Sequence, residues 1–181
     1  MASVPFAVRA ARREEDVVVG ELLTEAARWT IERGLPNAWP VPFPLDSVRS
    51  QIELGEVYLA VGDDAAPLAT VTLQWADPRF WGDRPPDAGY VHRLATRRSR
   101  AHEGWGARLL EWAEDRVAER GRGFVRLDCL AANAGLRRYY AGLGFRPAGT
   151  LTIREFEYAL LERAVRARRD GASSPSGARR P

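Results

Sequence analysis

From its N-terminus the chain alternates stretches of two-residue periodicity with stretches of helical periodicity. Phe6, Val8 and Ala10 alternate with their neighbours as a short strand does. Glu14, Glu15 and Asp16 then supply the acidic first turn of a helix running to about Arg33, with Val19, Leu22, Leu23, Ala26 and Thr30 on one face and Gly34 as its stop. Pro36, Pro40, Pro42 and Pro44 make the stretch from Leu35 to Leu45 a stiff, irregular loop. Asp46 caps a short helix that ends near Leu54. Val57 to Val61 and Leu68 to Trp75 read as strands of an antiparallel hairpin, joined by the Asp63-Asp64-Ala65-Ala66-Pro67 turn.

A polar, proline-bearing loop follows from Asp77 to Ala88. Gly89 to Thr96 is a strand, and Gly104 to Arg120 an amphipathic helix with Leu109, Trp112, Ala113 and Val117 inward. Phe124 to Leu130 is a strand and Ala134 to Leu143 a helix. Phe145 to Gly149 and Ile153 to Leu160 form a final strand pair. This β-α-α-β-β-β-α-β-α-β-β order, without internal repeats, predicts an α/β fold in which helices flank a mixed sheet, with a right-handed strand–helix–strand crossover in its middle.

Composition narrows the picture. The 181 residues are enough for one core and too few for two ordinary domains. The net charge of +3 is a property of the end of the chain: Arg166 to Pro181 holds five arginines and one aspartate, which leaves residues 1–165 at −1. That Arg/Gly/Ser/Pro-rich stretch has no apolar periodicity and is expected to be a disordered tail on a domain spanning 1–165. The near-neutral body argues against a nucleic-acid partner. No long apolar run and no leader-like N-terminus is present, so neither membrane insertion nor secretion is expected and the cytoplasm is. Every basic residue is arginine, the coding bias of a GC-rich, bacterial genome, and without lysine neither a Schiff base nor a Walker-type phosphate site can form. Cys129 is alone, and two histidines with one cysteine do not make a zinc cluster.

The chemistry concentrates in two segments. In Val91 to Glu111, VHRLATRRSRAHEGWGARLLE, a strand ends in a basic loop that opens a helix, with Gly104 and Gly106 at the turn. Helix N-terminal amides in such a loop form an anion site suited to a pyrophosphate, although a glycine before a helix is ordinarily a turn residue. The first glycine and the acidic partner of a Rossmann fingerprint are missing. The second segment, from Asn133 to Phe145, carries Asn133, Tyr139, Tyr140, Gly144 and Phe145 just after the next strand.

Together these segments resemble the GCN5-related N-acetyltransferase (GNAT) family. That family has Gln/Arg-x-x-Gly-x-Gly/Ala opening its main helix, then Asn-x-x-Ala-x-x-x-Tyr-x-x-x-Gly-Phe one strand later. Gly104 and Gly106 match the first pattern; Asn133, Tyr140, Gly144 and Phe145 match the second. The likeness covers residues 5–160. Ala101 stands where Gln or Arg is common and Leu136 where Ala is usual, and Arg97, Arg98 and Arg100 supply basic charge beside the loop.

The resemblance implies a mostly antiparallel sheet with a central parallel pair, Tyr90–Thr96 and Phe124–Leu130, that splays to admit acetyl-CoA as cosubstrate, with no metal. Leu94, Ala95 and Thr96 would hold the pantetheine arm, with Arg97 adjoining. His102, Glu103, Gly104, Trp105, Gly106 and Ala107 would hold the pyrophosphate, and Asn133 would meet the pantetheine. Tyr140 would protonate the leaving thiolate, beside the competing reading of a core tyrosine, a role that Tyr139 could fill since only one of two helix neighbours can point into the cleft. The family often places a carboxylate on the cleft strand; none lies between Gly89 and Thr96. That leaves His92, with an ordinary value of ~6.5, as the candidate base, beside the competing reading of a structural histidine.

Trp29, Trp39, Trp75, Phe80 and Trp81, with Tyr90, Asp83 and Asp87, would border an amine acceptor, although tryptophans serve core packing as well. The expected activity is direct acetyl transfer in a ternary complex to a primary amine of a small molecule. A protein N-terminal or side-chain acceptor and a non-catalytic acyl-CoA sensor remain as alternatives, and a homodimer is left open.

Overall fold

The computed structural model describes residues 7–62 and 65–166. Its elements in chain order are β1 (Ala7–Ala10), α1 (Asp16–Glu32), α2 (Leu45–Glu53), β2 (Val57–Val61), β3 (Pro67–Gln74), α3 (Pro78–Trp81) and β4 (Ala88–Thr96), followed by α4 (Trp105–Glu119), β5 (Phe124–Leu130), α5 (Ala134–Gly142), β6 (Arg146–Ile153) and β7 (Phe156–Ala164). The strands form one sheet in the order β1-β2-β3-β4-β5-β7-β6. Every neighbouring pair is antiparallel except β4 and β5. The β4–α4–β5 unit explains that exception, because a parallel partner needs a crossover long enough to return the chain.

The two faces of the sheet are covered separately. Leu109, Leu110, Ala113 and Val117 of α4 pack on Val71, Leu73, Val91, Val125 and Leu127, and α5 adds Tyr140 to this cluster. Val19, Leu22 and Leu23 of α1 and Val48 and Ile52 of α2 close on Val57, Leu59 and Ala95 from the other side. A smaller cluster of Trp81, Ala88, Tyr90 and Leu160 completes that second face under α3. Side chains alternate along a strand, so Tyr90 and His92 on β4, and Arg126 and Asp128 on β5, face away from α4. Glu114, buried on α4, pairs with Arg163 of β7 at 2.7 Å and ties the first layer to the sheet.

Three local expectations change. Asp46 does not cap α2: Pro44 takes the N-cap position with extended backbone, the helix starts two residues early, and Asp46 pairs with Arg49 inside the first turn. The 77–88 loop contains a helix, because the Asp77 carboxylate accepts a hydrogen bond from the Phe80 N–H (3.2 Å) and Pro78 sits at N1, where no N–H is needed. The last hairpin turns at Arg154–Glu155 rather than before Ile153, since β6 absorbs an irregularity between Pro147 and Gly149 and continues as the partner of β7.

Of the expected tail, Arg166 is described and is held by Glu114 through its backbone N–H (2.7 Å) and its guanidinium (3.2 Å); residues 167–181 lie outside the described residues. Among the described residues, no helix is long and apolar enough to cross a membrane.

Candidate active site

The register of β4 creates the central opening. It pairs with β5 only from Ala88↔Phe124 to Val91↔Leu127, whereas on its other side it pairs with β3 as far as Thr96↔Ala69. From His92 to Thr96 the edge facing β5 has no strand partner. A bulge sits where the strands part: Thr72 opposes His92 and Thr70 opposes Ala95, so β4 carries an extra residue. Arg93 absorbs it in a left-handed conformation, φ 51°, which a non-glycine residue adopts only when its surroundings hold it. Those surroundings are specific. Arg93 donates to Ser47 Oγ (2.7 Å) and Gln51 Oε1 on α2, and its guanidinium lies over the Phe43 ring at 4.9 Å.

Beyond the bulge, Ala95 turns into the α1–α2 side of the core, Leu94 packs toward α4, and Thr96 leads into the 97–104 loop. Arg97 is fastened to β3 through Pro67 O (3.3 Å). Glu25 of α1 accepts the Arg98 N–H at 2.8 Å and lies 3.8 Å from the Arg97 guanidinium. His102 and Gly104 are both left-handed, at φ 69° and 80°, and Gly104 starts α4 with no side-chain cap. Glu103 stabilises the turn by accepting from Arg100 Nε and Trp105 Nε1. Trp105 is buried, and Gly106 and Ala107 complete the first helical turn. An uncapped helix N-terminus at the end of an unpaired strand edge suits a diphosphate followed by an extended chain.

α5 packs on the α4 side of the sheet through Tyr140. Asn133 Oδ1 accepts the Leu136 N–H (3.0 Å) and caps the helix. Tyr140 is buried in the core beside Phe145, with ring centroids 5.8 Å apart. Burial first, then Cys129, Tyr139 and Asp128, pushes its phenol far above the ordinary value and keeps it protonated. Tyr139 is 40% exposed, and its hydroxyl stands 2.8 Å from where a Cβ on Gly106 would be. Burial also pushes the Cys129 thiol up to about 11, leaving it unreactive.

On the opposite face His92 lies between two carboxylates. Its Nε2 is 3.1 Å from Asp77 Oδ2 and its Nδ1 is 3.4 Å from Asp128 Oδ1. These are contacts between charges rather than aligned hydrogen bonds, since neither carboxylate oxygen nor Nε2 has a hydrogen-bond partner. Burial alone would push the imidazole down; Asp128 and Asp77 outweigh it and raise it to about 9. The expected titration near ~6.5 is therefore corrected upward. One donor atom of each of the three residues lies within 4.8 Å of the others. Phe80 borders His92 at 6.0 Å between ring centroids, and Tyr158 meets Phe80 edge-on at 5.1 Å.

The residues assigned to an acceptor scatter. Tyr90, Trp81 and Asp87 surround the buried Arg126 guanidinium: Asp87 Oδ1 at 2.8 Å, the Tyr90 hydroxyl at 3.2 Å and the Trp81 ring at 5.2 Å. Asp83 is exposed. Trp75 packs against the α4-side core, with the guanidinium of Arg120 4.0 Å from its ring and that of Arg122 5.1 Å away. Trp29 is stacked between Arg98 (3.9 Å) and Arg33 (4.7 Å), in a cavity of about 860 Å³ that Glu21, Glu25, Phe43, Arg97 and Arg98 also line. Trp39 packs edge-on to Phe43 at 5.8 Å. Sequence reasoning missed Asp77, Asp128, Arg93 and Glu25. Only Asp77 left a signal, the Asp-Pro start of a helix.

A family model described as the acetyltransferase (GNAT) family matches residues 21–145. The Bacillus subtilis (strain 168) protein described as the uncharacterized N-acetyltransferase YesJ is 30% identical over 152 residues, which is 80% of this chain and 83% of that protein. A GNAT-family acetyltransferase structure from Listeria monocytogenes 4b F2365 matches with a TM-score of 0.73 at 24% identity, covering 90% of this chain and 98% of its own. The yncA structure from Salmonella typhimurium, which contains its cofactor acetyl-CoA, matches with a TM-score of 0.66 at 13% identity, covering 96% and 99%.

Proposed function

Since the chain belongs to the GNAT acetyltransferase family and is an acetyl-CoA-dependent N-acetyltransferase, we propose that it transfers the acetyl group directly, in a ternary complex, to a primary amine of a small molecule. The observation that carries this reading is the one-sided pairing of β4. Its edge from His92 to Thr96 is open toward β5 and leads to the uncapped N-terminus of α4.

Acetyl-CoA supplies an activated thioester. The chain's part is to hold and polarise it. The Leu94, Ala95 and Thr96 backbone pairs with the pantetheine arm, and an amide of this stretch faces the thioester carbonyl. Arg97 and the turn from His102 to Ala107 hold the diphosphate. Asn133, whose oxygen is committed to capping α5, offers its amide N–H₂ to the arm. Tyr140 reaches the opening where β5 leaves β4, beside Cys129, and protonates the thiolate. The phenol suits this step because it keeps its proton at every physiological pH. The amine approaches from the opposite face, where Asp77, His92 and Asp128 lie beside the Phe80 ring, which Tyr158 backs edge-on.

Trp29 and Trp39 lie on the α1 side of this face and Trp81, Asp87 and Tyr90 enclose Arg126 beneath it, while Trp75 packs on the α4 side of the sheet and is left out of the acceptor site. A small acceptor fits the charged centre better than a bulky one, since Asp77 is enclosed and the side chains of His92 and Asp128 are 15% and 13% exposed.

Screening primary amines for thiol release from acetyl-CoA tests the reading. Turnover with at least one small amine is expected, together with an unfolding temperature raised by acetyl-CoA. Thiol release confined to peptide N-termini or protein lysines would move the acceptor to macromolecules. Coenzyme binding without thiol release from any amine would make the protein a sensor.

A further inference from the structure

We propose that the Asp77–His92–Asp128 cluster takes up the acceptor's ammonium group in exchange for the proton of His92, so that the arriving cation itself frees the base that deprotonates it. The proposal rests on the acetyl-transfer reading for the nature of the incoming group, an alkylammonium.

The charge count of the cluster is the starting point. A carboxylate stands at each nitrogen of the ring, 3.1 Å away for Asp77 and 3.4 Å for Asp128, so with the imidazole protonated two negative charges face one positive. One negative charge is left over. Asp77 cannot expose it: its side chain is 6% exposed, its Oδ1 is committed to the Phe80 N–H, and its Oδ2 points at the ring without an aligned partner. Asp128 lies on β5 immediately beyond the last residue paired with β4, at the mouth of the opening. Its Oδ1 is buried against the ring, but the side chain keeps 13% of its surface, so Asp128, the 15% exposed imidazole and the half-buried ring of Phe80 share the accessible part of the cluster, with Tyr158 behind them. A carboxylate beside aromatic faces matches an ammonium head on an apolar stem.

A cation seated there competes with the imidazolium for the same two carboxylates. The like charge weakens the hold of His92 on its proton. The other titratable groups around the ring do not offset this. On β7 the Tyr158 phenol is pushed up by burial and by Asp128, on α3 Arg79 acts on Tyr158 in the opposite sense, and Cys129 feels Asp128 from the far face of β5. Without such displacement His92 would be silent as a base at neutral pH, because an imidazole held to about 9 is already protonated.

The steps balance. His92 loses its proton to solvent as R-NH₃⁺ binds, and the neutral imidazole then takes one proton from the ammonium. The freed nitrogen lone pair forms the C–N bond at the thioester carbonyl and the C–S bond breaks. Tyr140 gives its proton to the thiolate and is replenished by the second proton of the attacking nitrogen. His92 ends as imidazolium again, and the one proton that each acetylation liberates leaves at acceptor binding.

Nuclear magnetic resonance of the full chain with ¹⁵N-labelled histidine tests the exchange, because only His92 and His102 contribute and His102→Asn assigns them. The His92 titration is followed alone, with 2-phenylethylammonium chloride, with sodium chloride at equal ionic strength, and with 2-phenylethanol as the uncharged isostere. The expected result is a midpoint at least about one pH unit lower with the ammonium salt only. Asp128→Asn should bring the midpoint down without amine and abolish the further displacement, and Asp128→Glu should restore both. A wild-type midpoint that the ammonium salt leaves in place, or that the alcohol moves equally, overturns the proposal whether or not the variants fold. If the midpoint moves but no amine releases thiol from acetyl-CoA, the exchange stands and the acetyl-transfer reading falls.

Discussion

Tyr139 and Tyr140 are adjacent in the chain and opposite in setting. One is half in solvent with its hydroxyl over Gly106, and the other is enclosed beside Cys129 and Phe145. On the proposed reading the enclosed phenol delivers its proton into the opening between β4 and β5. Tyr140→Phe should therefore keep acetyl-CoA affinity while turnover falls roughly 10²–10⁴-fold, the usual loss for a general acid; unchanged single-turnover rates would return Tyr140 to packing alone. Gly106 carries a different constraint. A side chain there must displace the Tyr139 hydroxyl and crowd the first turn of α4, so Gly106→Val should weaken acetyl-CoA binding by about tenfold or more, each tenfold being ~1.4 kcal/mol. Calorimetric titration checks this, and wild-type affinity would take the diphosphate away from this turn. Both residues were named from the sequence, because each belongs to a motif of fixed spacing. The partners of His92 were not, since Asp77 and Asp128 lie 15 and 36 positions away in the chain.

Between elements, the cofactor loop is held from outside itself. Glu25 on α1 takes the Arg98 N–H, Trp29 one turn later is stacked under the Arg98 guanidinium, and Arg93 fastens the β4 bulge to α2. The helices on the second face thus set the shape of the strand end and loop as well as covering the core. Glu25→Ala should raise the KM for acetyl-CoA about tenfold with kcat nearly unchanged, a loss of ~1.4 kcal/mol that is just under the range of about 1.5–3 kcal/mol for a hydrogen bond to a charged group. Steady-state kinetics with acetyl-CoA as the varied substrate decides it, and an unaltered KM would mean that the loop keeps its form without α1. Periodicity predicted α1 and its inward face but nothing about Glu25, which sits on the half-buried flank where a charge usually faces water.

At the scale of the whole molecule, His92 joins β4 to β5 and to the turn before α3, so its protonation is a property of the assembled fold. Its folded value, about 9, lies above the unfolded ~6.5. The stability this contributes is complete below ~6.5 and is lost as pH rises toward 9. The unfolding temperature at constant salt should therefore fall across that window, and fall less in His92→Gln. Equal slopes in the two proteins would show that the imidazolium adds nothing to the fold.

Periodicity and turn residues were enough for the order of the elements other than α3, for the crossover that makes β4 and β5 parallel, and for the two motifs proposed to face the cofactor. These depend on local periodicity and on backbone turns that neighbouring residues specify. Where β4 stops pairing with β5, the insertion of β7 between β5 and β6, and the enclosure of His92 by two carboxylates from separate elements emerge only in the folded chain. Register and charge burial arise from contacts across the sheet, and a group's affinity for its proton is set by the charges that folding brings beside it rather than by its neighbours along the chain.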